Sequence, residues 1–132
     1  MKGLGSRITK GLTTSSVLLC ADNSGAKLVM IIGVGRYKGG RGIYPKAGVC
    51  DIIIAAVKKG SPEMKKKVVK AVVVRQRKEF RRANGVRIQF EDNAAVLIDE
   101  DGLPVGTEIK GAVCREIAER FPRVAAIAAA VV

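Results

Sequence analysis

The chain has 132 residues, 48% of them hydrophobic, with 24 Lys and Arg against 12 Asp and Glu and no His. This length suits one domain, and a composition so rich in Val and Ile excludes a disordered basic tail despite the net charge of +12. Without imidazole there is no Ser-His-Asp triad and no usual near-neutral base, and Cys20, Cys50 and Cys114 lie too far apart for a clustered zinc site.

In chain order, residues 1–14 form a loose basic lead-in. Val17 to Ala21 is predicted as a strand; it is too short for a signal h-region and ends in the turn Asp22-Asn23-Ser24-Gly25. Lys27 to Val34 is a second strand, apolar on both faces and therefore central. Gly33, Gly35, Gly39, Gly40, Gly42 and Gly48 then punctuate a basic loop. Val49 to Lys58 is the next strand, closed by Lys59-Gly60-Ser61-Pro62. Lys67 to Lys78 is β-branched and predicted as the longest strand. Ala83-Asn84-Gly85 signals a hairpin, and Val86, Ile88 and Phe90 alternate inward after it. Ala94 to Asp99 is a further strand. Past Gly111 the period lengthens: Ile117, Ala118 and Phe121 share a helical stripe, Pro122 stops it, and Ala125 to Ala130 is a second short helix. The apolar run Val124 to Val132 is far below the ~20 residues that span a bilayer. The expected protein is soluble and cytosolic, without a membrane partner. It is mainly β: a small closed barrel followed by a short α-helical C-terminal region. Its single domain, 1–132, comprises a lead-in (1–14), the barrel (15–111) and the helical appendix (112–132).

Charge is distributed unevenly. Sixteen of the cations fall between Arg36 and Arg87 against only Asp51, Glu63 and Glu79, a net of +13. Ile88 to Asp101 holds no cation and five acids, a stretch expected to face solvent or a basic neighbour. A field so one-sided repels itself unless an anion lies against it, and a pI near 10.1 points to nucleic acid first. The cations form three groups. Arg36, Lys38, Arg41 and Lys46 share the glycine loop with Tyr37 and Tyr44, a set that can neutralise phosphates while its rings stack on unpaired bases. Lys58, Lys59, Lys65, Lys66 and Lys67, with Lys70, make a diffuse cap suited to a phosphate backbone. Arg75, Arg77, Lys78, Arg81, Arg82 and Arg87 sit toward the hairpin tip, where arginine forks can grip phosphate.

Reactive chemistry is not indicated, and no catalytic residue, metal ligand or cofactor is assigned. The glycine loop misses the dinucleotide fingerprint at Lys38, and Arg41-Gly42 stands where a Walker loop needs Lys-Ser or Lys-Thr. Asp99-Glu100-Asp101-Gly102 lacks the spacing of a calcium loop. A metal-dependent phosphodiesterase using Glu91, Asp92 and Asp99 would need convergence that nothing in the spacing supports. A free barrel that binds acidic protein or single-stranded RNA remains the alternative. The cysteines read as three small buried hydrophobes in a reducing compartment.

Several separate segments then become informative together. Ala21-Asp22-Asn23-Ser24-Gly25-Ala26, Lys70-Ala71-Val72-Val73-Val74-Arg75 and Val86 through Ile98 resemble the universal large-subunit ribosomal protein L-fourteen family. So do Pro104-Val105-Gly106-Thr107, Ile109-Lys110-Gly111 and Val113-Cys114-Arg115-Glu116, in the family's order. The resemblance implies a five-stranded barrel with a projecting β-ribbon and a short helical C-terminus. It implies a structural constituent of the large ribosomal subunit in the cytoplasm, binding large-subunit rRNA and meeting small-subunit rRNA at intersubunit bridges. Lys27, Arg36, Lys38, Arg41, Arg75, Lys78, Arg81, Arg82 and Arg87 are the matching positions expected to contact RNA. The longer lead-in, Met1 to Leu12, and the stretch Gly35 to Gly42 resemble the archaeal and eukaryotic branch. That branch implies ribosomal proteins of the L-three and L-twenty-four-e type as neighbours, and the subunit anti-association factor docking nearby.

Overall fold

The computed structural model describes residues 3–35, 39 and 44–132, so Arg36, Tyr37, Lys38 and Arg41 lie outside the described residues. Five strands close the barrel: β2 (Val17–Cys20), β3 (Ala26–Val34), β5 (Ile52–Gly60), β6 (Val68–Arg75) and β9 (Ala94–Ile98), in that spatial order. Neighbours run antiparallel except at the seam, where β2 meets β9 in parallel through Leu19 with Ala94 and Cys20 with Ala95. Closure removes the open edges that so short a sheet would otherwise expose. The short β1 (Leu12–Thr13) pairs with β4 (Lys46–Ala47), and β7 (Phe80–Arg81) pairs with β8 (Arg87–Ile88) as a ribbon. The chain ends with β10 (Ile109–Val113), α1 (Ile117–Arg120), α2 (Pro122–Ala126) and β11 (Ala128–Val131).

Two cores share one wall. Every residue of β9 is buried. Ala95 and Leu97 point into the barrel beside Leu18, Val29, Ile31, Ile53, Ala71 and Val73. Ala94, Val96 and Ile98 point outward, with Val72 and Val74 of β6, into a second core of Phe80, Val113, Ile117, Phe121 and Val124. Period-two alternation normally leaves one strand face wet; here the C-terminal segment covers that face, so both read as apolar.

Several expectations need correction. The lead-in is not loose from Ile8 onward: Ile8 and Leu12 are buried, and the Gln76 side chain donates to the Thr9 carbonyl at 2.8 Å. The longest strands are β3 and β5, nine residues each, while β6 stops at Arg75. Val49 and Cys50 belong to a turn, with Cys50 at φ 72°. Val86 is 51% exposed instead of inward, because the ribbon loop ends at Val86, whose carbonyl accepts from the Arg82 N–H. Pro122 ends α1 and opens α2, since its missing N–H costs nothing at the first helical position. Ala128 to Val131 is a strand parallel to β10, not a helix: pairing outweighs alanine's helix propensity. Among the described residues, no helix is long and apolar enough to cross a membrane.

Candidate nucleic-acid interface

Between Lys58 and Arg87 the exposed cations, Lys70 apart, gather at the two ends of β6. At one end the β5–β6 turn displays Lys58, Lys59, Lys65, Lys66 and Lys67, all exposed. Lys66 holds φ 69°, a left-handed conformation that turns the chain between its two neighbours. Strand register brings Lys27 to the same end, because Ala26 faces Gly60 and Leu28 faces Lys59. Lys27 therefore belongs with the lysine cap, a link that sequence distance hides.

The other end lies about 25 Å away, the length of eight extended residues. There β6 leads through Gln76 into the ribbon. Arg77, Lys78, Arg81 and Arg87 are exposed. Arg81 stands directly across from Arg87 in the ladder, a like-charge pair that destabilises the hairpin unless an anion intervenes. Glu79 lies 3.9 Å from Arg87 and relieves only part of that repulsion. The lead-in runs beside the ribbon: a Cβ on Gly11 would come 2.8 Å from the Lys78 Cβ. Next to it a cavity of about 500 Å³ is lined by Lys10, Leu12, Thr13, Tyr44 and Lys46 among others. Tyr44 is exposed there, available for stacking, and Lys46 pairs with Thr13. Lys10 was not singled out by sequence; its place in a basic lead-in was the only signal. Its ammonium lies 3.5 Å from Asp51.

Two expected RNA contacts are internal. Arg75 donates from Nε to Asp92 Oδ1 at 2.9 Å and from Nη2 to Oδ2 at 3.2 Å. Its Nη1 reaches the carbonyls of Lys110 and Ala112 at 3.2 and 3.0 Å. The guanidinium thus bolts β6 to β10, with its fork filled. Arg82 is only 8% exposed, although it adjoins the hairpin turn. It donates to Glu116 at 2.9 Å, to the Cys114 sulfur at 3.7 Å and to the Val132 carbonyl. Burial disfavours its charge, but its bonds to Cys114 and Glu116 outweigh that and hold its pKa above the ordinary value. Arg82 leaves the exposed set because the second core closes over it. Charge counting could not have separated it from Arg81, since the partners are distant in sequence.

Most of the acids of 88–101 are exposed, namely Glu91, Asp99, Glu100 and Asp101. Asp92 holds Arg75. The Asp99 Oδ1 accepts from the Asp101 and Leu103 amides, both at 2.9 Å, and so shapes its own turn. Cys50 and Cys114 are buried free thiols and Cys20 is half-buried. Burial, then the Glu116 carboxylate, pushes the Cys114 thiol up to about 12; burial, then Asp22, does the same to Cys20. Such thiols are poor nucleophiles. Among the described residues, no three His, Cys, Asp or Glu side chains converge as metal ligands.

A closed barrel, an arginine-rich ribbon and cations displayed at both ends of one strand define a small basic barrel protein. A family model of ribosomal protein L14p/L23e matches residues 11–132. Proteins named large ribosomal subunit protein uL14 are 54% identical in Picrophilus torridus, 53% in Methanocorpusculum labreanum and 50% in Haloarcula marismortui, each over the full length of both chains. The chain belongs to the ribosomal protein L14p/L23e family. It is thereby a structural protein of the large subunit of the cytoplasmic ribosome, serving translation, in a family not known for enzymes.

Proposed function

We propose that this chain, acting as one domain over 1–132, binds large-subunit rRNA through its two cationic ends. The observation that carries this is Arg81 held opposite Arg87 on an exposed ribbon, an arrangement that a bound phosphate would stabilise. Lys27, Lys58, Lys59, Lys65, Lys66 and Lys67 engage one RNA segment; Tyr44, Lys46, Arg77, Lys78, Arg81 and Arg87 engage another. Arg36, Tyr37, Lys38 and Arg41 are also proposed as RNA contacts. Contacts at two separated ends suit a protein wedged between RNA segments, and in this reading the chain also meets small-subunit rRNA at a bridge. Ribosomal proteins of the L-three and L-twenty-four-e type are the proposed protein neighbours, with the subunit anti-association factor docking nearby.

Binding of an rRNA fragment, titrated with salt, tests this. About 6–10 phosphate contacts predict a loss of about 10³–10⁵-fold between roughly 50 and 200 mM salt. Affinity independent of salt overturns it.

A further inference from the structure

One part of the barrel wall is covered and another is not. The outward side chains of β9 and of the end of β6 lie under the C-terminal segment. Apart from Ile52, which packs against that second core, those of β2, β3, β5 and the start of β6 do not, yet they too are largely apolar. Strand register places Val17, Met30, Ala56 and Val68 in one row across four strands. Leu19 and Leu28 form a pair on one side of this row, and Ile32 and Ile54 lie on the other. Val17, Leu19, Ile32, Ile54 and Val68 are between 37% and 65% exposed. Single apolar residues on a surface are ordinary; a row spanning four strands marks a contact face.

The chemistry selects the occupant. RNA gains little here, because the row has no ring for a base to stack on and aliphatic carbon offers phosphate nothing. A second copy of the chain is disfavoured by the mutual repulsion of two bodies carrying +12 each. The four strands contain no Asp or Glu, and Lys70, exposed and in no ion pair among the described residues, stands directly opposite Ile54 at the edge of the patch. We propose that this wall is the docking face for a neighbouring large-subunit protein, which lays aliphatic side chains over Val17, Met30 and Ile54 and brings a carboxylate to Lys70. The inference adds a surface to the protein neighbours proposed above and does not depend on the RNA contacts.

Photo-crosslinking in purified large subunits tests it. The chain is incorporated with p-benzoylphenylalanine in place of Ile54, and in a parallel preparation in place of Arg81. After irradiation and nuclease digestion, adducts are identified by mass spectrometry. The Ile54 probe is expected to join one other large-subunit protein, at a peptide holding both aliphatic residues and Asp or Glu, and Lys70→Glu is expected to lower that yield severalfold. Adducts with RNA alone, with another copy of this chain, with a peptide lacking carboxylates, or none in subunits that contain the chain, would each overturn the proposal. The Arg81 probe reports separately on RNA, so failure there leaves the docking face standing.

Discussion

The Arg82 guanidinium and the Glu116 carboxylate, 34 residues apart, meet at 2.9 Å with both side chains buried. This pair ties the turn of the ribbon to the entry of α1. Removing one partner leaves an uncompensated charge inside the second core. Arg82→Met is therefore expected to cost about 3–5 kcal/mol in urea unfolding, and Arg82→Met with Glu116→Leu should recover much of that. The adjacent Arg81→Ala should move stability by no more than about 0.5 kcal/mol. Equal losses for Arg81 and Arg82 would contradict the assignment.

Gln76 sits where β6 leaves the barrel and is fully buried. Its Oε1 accepts from the Val49 amide at 2.8 Å, and its Nε2 donates to the Thr9 and Lys78 carbonyls at 2.8 and 2.9 Å. Gln76→Leu keeps the volume but strands these groups, each worth about 1–3 kcal/mol when unpaired. Faster hydrogen exchange at the Val49 amide is the expected local signature, alongside lower global stability.

Gly111 has φ +79°, and a Cβ there would come 2.5 Å from Arg75 Nη1. Gly111→Ala should strain the backbone by about 1–3 kcal/mol and dislodge the Arg75 fork from β10. Gly3→Ala, with nothing within 4 Å, is the matched control and should leave the melting temperature unchanged.

The buried thiols make alkali destabilising. Cys114 is raised from 9.0 to about 12, and Cys50 is pushed up further by burial and by Cys114. The folded state keeps these protons where the unfolded state releases them. Their contribution is full below pH 9 and is lost as pH rises from there through the folded values. Unfolding free energy measured from pH 8 to 11 should fall, less steeply in Cys50→Ala and Cys114→Ala. Thiol reagents at pH 8 should label both sites only as the protein unfolds.

Neutralising the ribbon should affect binding alone. Arg81→Gln with Arg87→Gln is expected to weaken rRNA binding and reduce the salt slope by about 2. The melting temperature should hold or rise slightly, because a like-charge cross-strand pair is relieved. An unchanged slope would place these residues away from phosphate.

Much was legible in order of residues alone. Alternation and turn chemistry located the barrel strands within a few positions, because period-two burial and glycine's freedom at positive φ are local properties; Gly85, at φ 87°, closes the ribbon where Asn84-Gly85 signalled it. Charge asymmetry and the separate matching segments pointed to the family. The tertiary structure decided what local rules cannot reach. It paired Arg75 with Asp92 and Arg82 with the buried Glu116 and left Arg81 and Arg87 outside, although all four arginines read alike in sequence. It turned an alanine-rich tail into a strand by offering β10 as a partner. It also brought Lys27 to the lysine cap and laid four strands' aliphatic residues in one exposed row. Ion pairs, burial and strand register depend on residues distant in the chain, and their energies exist only once closure brings those residues together.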